Sequence, residues 1–144
     1  KFLRSLSPIQ ADRVERLREG EDETYRTAYR RTRNGKPVWE VRIDDVSGCL
    51  RTARGGSSRQ AVIRLGKGRT SIRWMTPREY AALMGAAHYN IEGLRPNQVM
   101  FGFGDAVAVP VVEWLGTHYL MPALHGTLGE ETHVGQSLSP THTA

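Results

Sequence analysis

Cysteine is all but missing from this chain: Cys49 is the single one among 144 residues. An intramolecular disulfide is therefore excluded, and a reducing, cytoplasmic setting is expected. Long apolar runs are missing too, and none approaches the roughly 20 residues that a membrane helix needs. No apolar stretch follows Lys1-Phe2-Leu3-Arg4, so no signal peptide is expected. The first residue is not Met, which points to a fragment or a trimmed piece. Histidines number five, four of them late (His118, His125, His133, His142), and none stands at metal-ligand spacing from Cys or carboxylates. No metal and no membrane partner are expected. No internal repeat is visible.

What remains is a chain for one modest domain, 39% hydrophobic with mean hydropathy -0.47, and so globular rather than disordered. Its formal charge is +5, and the charge is lopsided. Residues 1–80 hold 19 Lys/Arg and 10 Asp/Glu, net +9, whereas residues 81–144 hold 1 and 5, net −4. A basic part beside an acidic part suggests that the first faces a polyanion. A merely basic domain is the plain alternative.

The spacing of Ile9, Val14 and Leu17 predicts a surface helix over residues 7–20, capped by Ser7 with Pro8 in its first turn. Glu21-Asp22-Glu23 reads as a solvated charge run. Asn34-Gly35 predicts a hairpin turn between strands over residues 25–33 and 37–43. In the second strand Trp39, Val41 and Ile43 form an apolar face. Residues 44–58 read as a long loop. Strands are then expected over residues 60–65 and 70–75, joined through Gly66-Lys67-Gly68. Thr76-Pro77-Arg78-Glu79 is a capping box that opens a short helix with Tyr80, Leu83 and Met84 on one face and Gly85 as its stop. Residues 86–100 read as a loop. A second helix is expected near residues 107–120, with Pro110 in its first turn, a stripe of Val107, Val111, Trp114, Leu115 and His118, and Pro122 as its end. The tail after Leu124 is polar and expected to be disordered. The domains read as 1–24 (helical), 25–75 (β-rich), 76–124 (helical) and 125–144 (tail). The fold class is α+β, a small, mostly antiparallel β module followed by helices.

The most DNA-like stretch is Gly48-Cys49-Leu50-Arg51-Thr52-Ala53-Arg54-Gly55-Gly56-Ser57-Ser58-Arg59-Gln60. Arg51 and Arg54 can pair with phosphates or read guanine; Thr52, Ser57 and Ser58 offer hydroxyls; Gly55 and Gly56 let a backbone come close. A flexible Gly/Ser loop with solvated charges is the alternative. Arg30, Arg31 and Arg33 beside the Asn-Gly turn form a second basic tip, able to meet a groove or simply to protect a hairpin edge. Gly102-Phe103-Gly104-Asp105-Ala106-Val107 does not match a dinucleotide fingerprint, and Asp105 reads as a cap at a helix start. Cys49 lacks a Pro-Cys or His-paired context and reads as structural or incidental.

Three motifs together resemble the end of a DNA (cytosine-5) methyltransferase. Thr76-Pro77-Arg78-Glu79-Tyr80-Ala81-Ala82-Leu83-Met84-Gly85 is similar to that family's ninth block. Gly104-Asp105-Ala106-Val107 with Pro110-Val111-Val112 is similar to the tenth. Cys49-Leu50-Arg51-Thr52-Ala53-Arg54-Gly55-Gly56 resembles the stretch late in its target-recognition region. The resemblance spans residues 29–124. It implies that the β module docks on double-stranded DNA in the major groove and that the loop with Thr52, Arg54, Gly55 and Gly56 holds the backbone around a flipped cytosine. Asp105, Ala106 and Val107 would border the site of S-adenosyl-L-methionine. The last helix would pack on a Rossmann-like catalytic domain. A bacterial or phage setting, in restriction-modification or regulation, goes with it.

Departures accompany the match. Asp105 stands for the commoner Asn, Ala82 for Arg, Leu50 for Thr, and Ala86-Ala87-His88 for Phe-Pro-Asp. The blocks with the cofactor loop, the Pro-Cys nucleophile and the Glu-Asn-Val acid do not occur in this sequence. The reaction needs a thiolate on C6 of an extruded cytosine and an acid at N3. No catalytic residue is therefore assigned, and a catalytic domain or subunit is expected as partner. A stand-alone basic DNA-binding module without any such partner is the rival reading.

Overall fold

The computed structural model describes residues 2–52 and 59–127. The chain divides into two compact units, residues 1–110 and 111–144. The first is a four-stranded antiparallel sheet with helices, an α+β arrangement. After a short 3-10 turn (Leu3–Ser5) comes α1 (Pro8–Arg18), then β1 (Thr24–Arg33), β2 (Lys36–Val41), β3 (Gln60–Gly66), β4 (Arg69–Trp74), α2 (Pro77–Leu83) and α3 (Pro96–Asp105). The sheet order is β2-β1-β3-β4.

Local chemistry explains most of these elements. Ser7 caps α1, its hydroxyl accepting from Gln10 N, with Pro8 in the first turn. The β1–β2 hairpin turns on Asn34 and Gly35, both at positive φ (49° and 73°), as a two-residue hairpin loop requires. Lys67 and Gly68 (51° and 71°) do the same between β3 and β4. Thr76 and Glu79 close the capping box of α2, and Gly85 at φ 76° ends that helix.

Period-two alternation gives the sheet two working faces, each with its own core. On one face Ala28, Val41, Ile63 and Leu65 pack with Val14 of α1, flanked by Phe2, Leu6, Leu17, Trp39 and Ile72. On the other, Val62 meets Met75, Tyr80, Met100, Leu50 and Phe103. Tyr80 ties the second core to the sheet, because its hydroxyl accepts from the main-chain N of Gln60 at 3.1 Å.

Several expectations are corrected. Ile9, Ile43 and Leu83 are exposed rather than inward, and Ala81 is buried in place of Leu83. Residues 96–105, read as the end of a loop and the approach to a helix, form α3. Pro96 sits in its first turn, and the Gln98 side-chain oxygen accepts from Arg95 N at 3.0 Å. Gly102 and Gly104 lower its helix propensity, but burial of Val99 and Met100 overrides this. Asp105 is the last residue of α3, not a cap at a helix start.

α4 (Val109–Leu115) is followed by a π-helical turn (Gly116–Leu120) and α5 (Met121–Leu124), which carries Pro122 inside its first turn rather than after the helix. The wider π turn precedes a residue that cannot donate a backbone hydrogen bond. By length and composition Pro96–Leu124 reaches the size of a membrane-crossing helix, an 18-residue window of it averaging a hydropathy of 1.4. Residues 106–108 are not helical and interrupt it. Residues 53–58 and 128–144, with Arg54, Gly55, Gly56, Ser57, Ser58 and the expected disordered tail beyond Thr127, lie outside the described residues.

Candidate nucleic-acid interface

Because the Asn34-Gly35 loop has two residues, the hairpin register is fixed: Tyr29 pairs with Glu40, Arg30 with Trp39 and Arg31 with Val38. Neighbouring residues of β1 therefore point to opposite faces, and the three arginines of the basic tip do not form one patch. Arg31 and Arg33 share a face with Glu40, which Arg33 meets at 2.7 Å and Arg31 at 3.7 Å. Arg30 lies on the other face, with its guanidinium 6.0 Å from the Trp74 ring centroid. Arg59 approaches the same ring at 5.4 Å, and Trp39 packs on Trp74 at 5.2 Å. These contacts shield aliphatic and aromatic surface beside the first core.

On the face with Arg31, the segment after β2 crosses the sheet and leaves a cleft of about 510 Å³. Its lining is Tyr29, Arg31, Arg42, Gly48, Cys49, Arg51 and Gln60. Gln60 forms the floor: it is buried, its side-chain N donates to the carbonyl of Cys49 at 3.3 Å, its side-chain oxygen has no partner among the described residues, and its main chain is held by Tyr80 and Met75. Arg42 is held by both oxygens of Asp44, at 2.7 and 2.5 Å. Arg31 stacks on the Tyr29 ring at 5.4 Å. The Tyr29 hydroxyl donates to Glu40 at 2.7 Å, which raises the phenol and lowers the carboxyl from their ordinary values. Arg51 is exposed and makes no ion pair among the described residues.

The expected DNA loop and the expected cofactor rim meet. The Thr52 hydroxyl donates to the Asp105 carboxylate. A β-carbon on Gly104 would lie 2.6 Å from the Arg51–Thr52 peptide, so the close approach requires glycine there. A carboxylate at a helix C-terminus is electrostatically unfavourable, and the hydroxyl gives it a compensating donor. Asp105 ends α3, Ala106 is extended and Val107 is 65% exposed, so the three expected cofactor residues lie together at the open end of α3. One carboxylate already bound by Thr52 and one exposed valine do not make up a cofactor site by themselves.

Helix α2 is scaffold by its contacts. Glu79 takes both guanidinium nitrogens of Arg73 at 2.7 and 2.6 Å and accepts from Thr76 N at 2.8 Å. Arg73 first of all, then Thr76, lowers its carboxyl to about 2. Gly85 has no room for a side chain, since a β-carbon would overlap the Pro110 ring, and Val109 N donates to Met84 O at 2.9 Å. The ends of the two sequence blocks thus touch.

Tyr29, Arg42 and Gln60 were not singled out from the sequence. The first two carried a usable signal: the two-residue turn fixes the register, and Arg42 N donates to Thr27 O at 2.9 Å, continuing it past β2. Gln60 carried none. No protein-family model, no curated protein and no solved structure matches the chain.

Proposed function

We propose that this chain is the C-terminal portion of a DNA (cytosine-5) methyltransferase, supplying target recognition and one edge of the S-adenosyl-L-methionine site to a catalytic domain or subunit carried elsewhere. The observation that supports it most is the apolar character of α4. Its Val111, Trp114 and Leu115 are 52%, 58% and 43% exposed, and the helix buries no residue. Large apolar side chains left exposed together on one helix suit a surface that another protein covers. In this reading Asp105, Ala106 and Val107 orient the cofactor, which supplies the methyl group, while the nucleophile and acid come from the partner. Arg31, Arg33 and Arg51 then meet double-stranded DNA, joined by Arg54, Gly55, Gly56, Ser57 and Ser58 of the same loop. The setting is bacterial or phage cytoplasm.

Co-expression with a neighbouring frame carrying the Pro-Cys and Glu-Asn-Val blocks, followed by sequencing for methylated cytosines, tests this. Methylation is expected with both chains and with neither alone. Turnover by this chain alone, or no methylation when the two co-purify, sinks it. A stand-alone DNA-binding module is the second reading, and the two cores on either side of the sheet favour it, since both are complete without α4.

A further inference from the structure

We propose that the cleft formed by Tyr29, Arg31, Arg42, Gly48, Cys49 and Arg51 over Gln60 is the site that holds a backbone phosphodiester of double-stranded DNA. This rests on the reading of the chain as a DNA-binding protein, and it names where on the molecule that contact is made. Four features carry it. The first is charge. Three guanidinium groups line one cleft; Arg42 is paired with Asp44 and Arg31 lies 3.7 Å from Glu40, which also holds Arg33, so Arg31, Arg33, Arg42 and Arg51 outweigh two carboxylates and Arg51 makes no ion pair among the described residues. Arg31 and Arg51 come from different elements, so an anion between them would tie the strand to the loop.

The second is preorganisation. The Tyr29 ring fixes Arg31, Asp44 fixes Arg42, and the buried Gln60 fixes the loop beneath Cys49. Groups held before binding lose less conformational freedom when the ligand arrives. The third is access. Gly48 lies against the Gln60 amide, where a β-carbon would come within 2.8 Å, so the wall at that point is bare backbone. The fourth is shape. The cleft is a wide surface feature of about 510 Å³, which suits a continuous polyanion passing across it better than a small free ion. The hairpin tip adds Arg33 on the same face. Arg30 and Arg59, committed to Trp74 on the opposite face, are outside the site.

Cys49, the one thiol of the chain, lines this cleft and is exposed, which makes it a built-in reporter. The rate at which a thiol-reactive aromatic disulfide modifies Cys49 is measured in the 144-residue chain, with and without duplex DNA at low salt. DNA is expected to slow the reaction severalfold. Arg31→Ala and Arg51→Ala should each weaken DNA binding and lower the slope of log K against log salt by about one. Arg69→Ala, at the start of β4 and outside the cleft, should leave both readouts unchanged. DNA that binds without slowing the thiol reaction would remove the cleft from the interface while leaving DNA binding intact. No binding of DNA even at low salt overturns the wider reading as well. Equal protection by free inorganic phosphate at the same phosphate concentration makes the cleft a simple anion site and defeats the proposal. The wild-type thiol measurement decides the matter even if a variant is unstable.

Discussion

Strand β3 and helix α4 are both seven-residue segments, and both are rich in aliphatic side chains. Five residues of β3 are buried and none of α4. The difference lies in neighbours. β3 is flanked by β1 and β4, has α1 and Val14 against one face and Tyr80 and Met100 near Val62 on the other, and so only Arg64 is exposed. α4 offers Val111, Val112, Trp114 and Leu115 to solvent. Apolar sequence alone does not distinguish a protein's own core from a surface meant for another. Only the count of packed sides does.

The sharpest way to break this comparison is to shorten one residue of each segment. Ile63→Ala should cost about 2–5 kcal/mol, because Ile63 is fully buried and its removal leaves a cavity in the core. Chemical denaturation followed by circular dichroism reads this directly. A loss near that of a surface substitution would mean that the sheet is not the stabilising core.

An intermediate effect is expected at the joint between sheet and helix. The Glu79 carboxyl is lowered from 4.5 to about 2 by Arg73 and Thr76. Its contribution is fully present above the ordinary carboxylate value and fades as pH falls through about 2. Glu79 is partly exposed, so about 1 kcal/mol is the expected size after screening. Glu79→Gln should be less stable than the parent at pH 7, and the difference should shrink as pH falls toward about 2 and vanish below it. Parallel melting curves for the two proteins across that range would refute the assignment.

The smallest effect on stability is expected in α4. Val111→Ser and Trp114→Ser should change stability by no more than about 0.5 kcal/mol in chemical denaturation, as surface positions do. Marked destabilisation would place α4 in the chain's own core and favour the stand-alone module.

Much of the sheet was legible because its turns have strict backbone demands. Asn34-Gly35 and Lys67-Gly68 sit at positive φ, and a two-residue loop leaves one register for each hairpin. The capping box of α2 was legible for the same reason, since its side chains satisfy local backbone groups. α3 was not, because Gly102 and Gly104 argue locally against helix, while Met100 and Phe103 are held through the core they share with Tyr80 and Val62. The candidate site was legible in pieces. Arg31 and Arg51 were both marked, but their convergence depends on the path of residues 42–52 across the sheet, which no local rule describes. Arg30 was grouped with Arg31 by adjacency along the chain, although adjacency in a strand separates faces.

The bond between Thr52 and Asp105, with Gly104 pressed against the Arg51–Thr52 peptide, has a consequence for how this sequence can change. Partners 53 residues apart share one small volume, so their substitutions are not independent. A side chain at position 104 would displace the root of the arginine loop, and loss of the Thr52 hydroxyl would leave a carboxylate at a helix end without its donor. Effects at 52, 104 and 105 should be strongly non-additive. Two motifs that look like separate signatures meet at one point of the fold.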